Sequence, residues 1–261
     1  MSKRRVDELL VSQGYFANTD AALRAIMAGE VSSHGRRLTS AGEKIPEDSE
    51  FHVKTKLAYV SRGGIKLKGA LDTFRVSVQD AYCLDIGASS GGFTDCLLQE
   101  GARHVVSVDV GQAQFDWRLR NDERVTLLEK TNIVDVVPDQ FEQAFDLIVC
   151  DVSFISLRYI LEPVARLIAP HAYFLTLVKP QFEAAREEVG KNGVVLDRAV
   201  HEKVLESLVS MAHERGFSVE GLAPSLIRGA KGNREFFMLA RLGEYSEKID
   251  IQNVVDEAWN C

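Results

Sequence analysis

A chain of 261 residues, 46% of them hydrophobic, can bury a full core and has room for one ordinary domain plus a small one. No apolar run nears the roughly 18 residues that span a bilayer, and Met1-Ser2-Lys3-Arg4-Arg5 leads into Asp7-Glu8 rather than an apolar signal region, so a cytoplasmic protein with no membrane partner is expected. The net charge of −7 hides an asymmetry: residues 1–68 carry 12 Lys and Arg against 8 Asp and Glu, the remainder 19 against 30. A basic head on an acidic body is what nucleic-acid contact through the head needs, although a solvated lysine-rich surface gives the same count.

Taken in chain order, helical apolar spacing covers residues 4–13 (Val6, Leu9, Leu10) and 19–29 (Ala22, Leu23, Ile26, Met27), the second run ending at a capping glycine, Gly29. Short strands are predicted at Val31–Ser33 and Glu50–Val53, with turns at Gly35 and Gly42. These make a small α+β module over residues 1–58, with 59–64 as a linker. From about residue 80, β-rich apolar runs alternate with amphipathic helical ones. Strands are predicted at Tyr82–Ile86, His104–Val108, Val125–Leu128, Leu147–Cys150, Ala172–Val178, Ser218–Leu222 and Phe236–Arg241. Such alternation implies an α/β domain over 65–243, a doubly wound, mostly parallel sheet covered by helices. Residues 244–261 read as a peripheral helix or tail. Cys83, Cys96, Cys150 and Cys261 form no CxxC pair, so no metal and no disulfide framework are expected.

In doubly wound folds, ligands sit beyond the carboxyl ends of the strands. The first strand ends at Asp85 and runs into Gly87-Ala88-Ser89-Ser90-Gly91-Gly92, with a helix beginning near Phe93. Ser89 stands where a dinucleotide fingerprint has its second glycine. A carboxylate before the loop suits the ammonium and sulfonium of S-adenosylmethionine better than it suits phosphate. Asp109 ends the next strand, where a carboxylate can accept both ribose hydroxyls of an adenosine or simply cap a helix. Cofactor contacts are therefore expected from Asp85, Gly87, Ala88, Ser89, Gly91, Gly92, Phe93, Asp109, Val110, Asn132 and Asp151. The fourth strand ends in Cys150-Asp151-Val152-Ser153-Phe154, without the paired prolines typical of enzymes that methylate base amines. Lys179 tips the fifth strand, and a lysine there is costly unless solvated, paired or used. Lys66 and Glu235 raise the same question.

The head resembles the S4-like RNA-binding domain in Arg5–Leu10, Ala21–Ile26, Gly29-Glu30-Val31 and Gly35, and departs from it at Asn18-Thr19 and Ser33-His34. Lys66, Asp151, Lys179 and Glu235, in this chain order, resemble the Lys-Asp-Lys-Glu tetrad of ribose 2′-O-methyltransferases. The whole chain resembles the TlyA/hemolysin-A family, S4-like heads fused to an FtsJ-like methyltransferase that modifies ribosomal RNA. The matching runs are Ser61–Leu67, Asp85–Thr94, Asp109-Val110-Gly111, Asp151–Ser156, Val178–Glu183, Val189-Gly190-Lys191 and Gly232–Phe236. Asn132-Ile133-Val134 departs from the family's Asn-Ala-Arg. The resemblance implies a Rossmann-like class I methyltransferase domain, S-adenosylmethionine as cofactor, and ribosomal RNA or ribosomal subunits as partner. It also implies Lys179 as base for a ribose 2′-hydroxyl, Lys66 holding the nucleotide, and Asp151 and Glu235 orienting the two ammonium groups. Arg4, Arg5, Arg24, Arg36, Arg37, Arg62, Lys191 and Lys231 are candidate RNA contacts. Two other readings stand beside this one: a membrane-active protein, which the hemolysin label suggests, and a non-catalytic RNA-binding or ribosome-assembly factor. The four charges are also compatible with a structural ion-pair network.

Overall fold

The computed structural model describes residues 3–16, 18–53, 58–243 and 249–260. Its contacts divide the chain into two units, 1–57 and 58–261.

In the first unit, β1 (Lys3–Arg5) is extended and leads into α1 (Val6–Ser12) and α2 (Thr19–Met27). The strands β2 (Val31–Ser33), β3 (Arg36–Arg37), β4 (Lys44–Pro46) and β5 (Phe51–Val53) follow. β2 lies between β3 and β5, while β1 pairs antiparallel with β4. The helix expected from residue 4 therefore starts at Val6, because Lys3 to Arg5 are held in a strand ladder and the Val6 N–H donates to Glu43 O at 2.9 Å. α2 opens at Asn18, whose side-chain oxygen accepts from Ala21 N–H at 2.9 Å, an N-cap bond. Val6, Leu10, Ile26, Val31 and Leu38 bury themselves in a core of their own.

The second unit opens with α3 (Arg62–Phe74), and its N-cap Ser61 accepts from Gly63 N–H at 3.3 Å. The segment 59–64, expected as a linker, thus already holds the first turn of a helix. Beyond α3 come β6 (Tyr82–Ile86), α4 (Gly92–Gln99), β7 (His104–Asp109), α5 (Trp117–Arg120) and β8 (Val125–Glu129). Then follow β9 (Phe145–Cys150), α6 (Leu161–Leu167), β10 (Ile168–Val178), α7 (Pro180–Glu183) and α8 (Arg198–Glu214). The chain ends with β11 (Phe217–Pro224), β12 (Phe236–Leu242) and α9 (Ile251–Asn260). The seven strands from β6 onward, β6 to β12, form one sheet in the order β11-β12-β10-β9-β6-β7-β8. β12 alone runs against its neighbours. β10 starts four residues before the expected Ala172. Ile168 pairs with Phe145, the register then shifts around His171 at φ +65°, and regular pairing resumes at Tyr173.

Period-two alternation gives the sheet two apolar faces. Leu84, Ile86, Val106, Ile148, Phe174 and Phe236 face α6, α8 and α9, whereas Cys83, Val105, Leu147, Val149, Leu175 and Phe237 face α3 and α4. Of the C-terminal residues 244–261, 244–248 and 261 lie outside the described residues, and α9 is no loose tail: Val254, Val255 and Ala258 are buried in the first of these cores. Among the described residues no helix is long and apolar enough to cross a membrane.

Candidate active site

The carboxyl ends of β6, β7, β9 and β10 and the start of the reversed strand β12 meet along one edge of the sheet. After β6 the backbone turns through Gly87 (φ +82°), Ser89 (φ +50°) and Gly91 (φ +91°) into α4. A Cβ on Gly87 would stand 2.7 Å from Asp151 O, so no other residue fits there. Gly92 serves a different contact, because a Cβ on it would lie 2.1 Å from Ser61 Oγ and 3.1 Å from Gly64 N. It lets the starts of α3 and α4 touch, and that contact fixes the phase of α3 and hence the aim of Lys66.

Along the loops lies a cleft of about 480 Å³, walled by Gly87, Ser89, Asp109, Val110, Asn132 and Asp151 among others. Asp109 is set by the backbone: its Oδ2 accepts from Ser89 N–H at 2.7 Å and its Oδ1 from Gly111 N–H at 2.6 Å. Each oxygen keeps a second lone pair for a ligand hydroxyl. The Asn132 side chain caps the turn 133–135 by accepting from Val134 N–H at 3.3 Å. Ile133, Val152 and Ile160 supply apolar wall. Among the described residues the lining holds two carboxylates and no lysine or arginine. Such a set repels the phosphates of a dinucleotide and suits a cation carried on an adenosine.

Ala88, Gly91, Gly92 and Phe93, expected as cofactor contacts, do not line the cleft. They build the turn and the α3–α4 contact instead, and Ala88 and Phe93 are core residues. Asp85 is also off the cleft wall. Leu84 and Ile86 take one face of the sheet, so Asp85 points to the other, where it is 0% exposed. Thr94 Oγ1 donates to Asp85 Oδ2 at 2.6 Å and lies 2.7 Å from Ser107 Oγ, while Asp85 Oδ1 is buried without a hydrogen-bond partner. Burial pushes this carboxyl up to about 7. Because the folded-state value lies above the ordinary one, the stability that the protonated group contributes is complete below about pH 4. It is lost as pH rises through about 7, a change of roughly 4 kcal/mol at most. Thermal melts of cofactor-free protein between pH 5 and 8 should show the wild type losing several degrees relative to Asp85→Asn; parallel curves would refute the buried acid.

The four charges expected as a tetrad come to one corner. Asp151 N–H donates to Ile86 O at 2.9 Å, which seats Asp151 beside the end of β6. Val178 pairs with Phe236 across β10 and β12, so one step further in the antiparallel register sets Lys179 opposite Glu235. Lys179 Nζ lies 2.5 Å from Asp151 Oδ1 and donates to Ser153 Oγ at 2.8 Å. Lys66 Nζ lies 2.5 Å from Glu235 Oε2, and that pair is the more buried, with side chains 10% and 3% exposed. Asn233 ties the approach to Glu235: its Nδ2 donates to Gly193 O at 2.9 Å and its Oδ1 accepts from Val195 N–H at 3.2 Å. Arg234, next in line, lies 4.0 Å over the Trp259 ring and donates to Ala258 O at 2.9 Å, fastening α9 to the same segment.

Ser153, Phe154, Glu183 and Asn233 were not singled out in the sequence. Ser153 and Glu183 stand inside the runs Asp151–Ser156 and Val178–Glu183, but nothing in residue type or spacing marks what they touch. Phe154 is 91% exposed at the rim of the cleft, its ring centroid 4.9 Å from that of Phe182.

The candidate RNA contacts Arg4, Arg5, Arg24, Arg36, Arg37, Arg62, Lys191 and Lys231 are all exposed. Several have acidic neighbours: Arg4 lies 3.1 Å from Glu8, Arg5 lies 2.6 Å from Asp7, and Arg36 pairs with Glu43. The Arg4–Glu8 and Arg36–Glu43 pairs lie at the surface and are weak enough to exchange for a phosphate, whereas Arg5 grips the buried Asp7 carboxylate with two nitrogens. Among the described residues no cluster of His, Cys, Asp and Glu could hold a metal ion, and Cys83, Cys96 and Cys150 are buried and free.

A sheet with a single reversed strand, a glycine turn at the switch point and a carboxylate-lined, lysine-free cleft define an S-adenosylmethionine-dependent methyltransferase. The profile of the FtsJ-like methyltransferases matches residues 59–242, and the chain belongs to that family. YqxC of Bacillus subtilis (strain 168), provisionally named an rRNA methyltransferase, is 47% identical over 264 residues, covering 98% of this chain and 94% of that protein. The 16S/23S rRNA (cytidine-2'-O)-methyltransferase TlyA of Mycobacterium tuberculosis is 39% identical over 244 residues, covering 92% and 91%. A solved structure from Streptococcus thermophilus, provisionally called a hemolysin, is 45% identical with a TM-score of 0.76 and covers 100% of this chain and 97% of its own.

Proposed function

We propose that this enzyme transfers the methyl group of S-adenosylmethionine to a ribose 2′-hydroxyl of ribosomal RNA, using Lys66, Asp151, Lys179 and Glu235. The observation that carries the reading is the pairing of two lysines with two carboxylates at the strand ends beside the cofactor cleft. S-adenosylmethionine, when bound, supplies an electrophilic methyl on a sulfonium. A ribose hydroxyl is scarcely ionised at neutral pH, so its proton must be held and removed as the new oxygen–carbon bond forms. In this reading Lys179 Nζ takes it, and its contacts with Asp151 and Ser153 support the assignment. Lys66, oriented by Glu235, holds the nucleotide. Phe154 offers a bare aromatic face at the rim, on which the base of an unpaired nucleotide can stack.

We take residues 1–58 as an S4-like RNA-binding head. A pair of helices backed by short strands, with exposed arginines on several of them, supports that assignment. The names of the relatives supply the substrate class, since TlyA is a ribosomal RNA 2′-O-methyltransferase by name. The test is transfer of labelled methyl from S-adenosylmethionine to ribosomal subunits and to free ribosomal RNA, followed by nucleoside analysis. Label in 2′-O-methyl nucleosides is expected. Label confined to base nitrogen or carbon would refute the acceptor, and no label in any RNA would refute the substrate class.

A further inference from the structure

The turn after β9 is bent in a way its own residues do not favour. Phe154 stands at φ +65°, a left-handed conformation that bulky residues rarely adopt, and its exposed ring gains little from burial. Something outside the turn must hold it. The holding groups come from the next strand end. Glu183 Oε2 accepts from Ser156 Oγ at 2.6 Å, and Glu183 Oε1 accepts from Leu157 N–H at 2.8 Å. The neighbouring Phe182 ring meets Phe154, and Lys179 grips Ser153 at the start of the same turn. Glu183 is half-buried, and burial pushes its carboxyl above the ordinary range. Hydrogen bonds to an ionised acceptor are the strong kind, yet withdrawing the charge from water is costly. Glu183 does not line the cofactor cleft, whereas Ser153, Phe154 and Ile155 do.

We propose that Glu183 is a positioning residue that clamps the 153–157 turn onto the 179–183 turn, so that Ser153 and Phe154 are fixed at the rim where the acceptor nucleotide enters. The inference rests on the acceptor reading above. It assigns the carboxylate to affinity for RNA rather than to affinity for the cofactor: Ser153, Phe154 and Ile155 reach the cleft from the clamped turn, but the Asp109 carboxylate and the glycine turn that face a cofactor are held by contacts of their own.

The test uses the full chain with Glu183→Ala, Glu183→Gln and Ser156→Ala. In the absence of RNA, hydrogen exchange read by mass spectrometry should show the Leu157 amide of Glu183→Ala exchanging at least tenfold faster, with β9 unchanged. The KM for RNA should rise about tenfold while the Kd for S-adenosylmethionine stays within twofold. Glu183→Gln keeps an acceptor for Leu157 N–H and can still bond Ser156, so it should recover most of the loss. Unchanged exchange at Leu157, an unchanged KM, or an equal loss of cofactor affinity would each overturn the proposal. Ser156→Ala keeps one of the two bonds and serves if Glu183→Ala fails to fold; it should give a smaller rise in KM, and no rise would count against the clamp. If the wild type methylates no RNA, the acceptor reading falls, and with it the role in RNA affinity; faster exchange would then leave Glu183 holding the turn for another acceptor.

Discussion

Lys179→Ala is expected to lower methyl transfer to RNA by about 100- to 10,000-fold, the usual range for a positioned general base. The cofactor should still bind, because the cleft lining includes Asp151 but not Lys179. Lys179→Arg is the sharper companion: it keeps the positive charge beside Asp151 but brings a guanidinium that does not give up its proton in proteins. Both variants should show that loss in single-turnover assays with saturating RNA, while calorimetric titration with S-adenosylmethionine stays within a few-fold of wild type. An arginine variant with near-normal turnover would show that charge alone is needed and would remove Lys179 from the role of base.

Glu235→Ala should be the most destabilising single change in the site. It leaves Lys66, 8% exposed, as a buried ammonium without its partner, at a cost of about 3–5 kcal/mol, which is on the order of 10 °C in Tm for a chain of this size. Replacing both partners by apolar residues of similar volume, Lys66→Met with Glu235→Leu, should recover most of that stability and none of the activity. The contrast separates two roles that a single substitution confounds. A double variant that is stable and active would make the pair a structural ion pair only. Gly229 gives an independent handle, because a Cβ there would lie 1.9 Å from Glu235 Oε1 and would push the carboxylate off Lys66.

How much of this could be read from residues alone varied with the physical signal available. The central strands announced themselves, because β6, β9, β10 and β12 are apolar runs buried on both faces. The start of α3 did not: Gly63-Gly64 argues against a helix in isolation, and the reason for a small residue at 64 appears only in the fold, where a Cβ on Gly64 would lie 2.2 Å from Tyr59 Cγ. β1 and β4 are three-residue strands, the first all charged and the second ending in a proline, too short for any periodicity to register. The displacement of Asp85 from the cleft follows from strand alternation, since Leu84 and Ile86 claim the other face, but which face borders the cofactor is a property of the assembled sheet. The tetrad was legible through resemblance as four residue types in order. Which lysine meets which carboxylate was not: strand register sets Lys179 opposite Glu235, but Lys179 pairs with Asp151 after β9 and Glu235 with Lys66 on α3, and the Glu183 contacts join two turns that nothing local couples.

The reversed strand also sets a timetable for the enzyme's manufacture. Lys66 and Glu235 are separated by 169 positions along the chain, and β12 must slide between β10 and β11 before the sheet is continuous. A ribosome reading the message therefore makes the other six strands of the sheet before the last charge of the site exists, and the non-local pairing then has to be found. A nascent chain thus carries Lys66, Asp151 and Lys179 well before Glu235, and the buried Lys66–Glu235 pair can close only after β12 has found its place in the sheet.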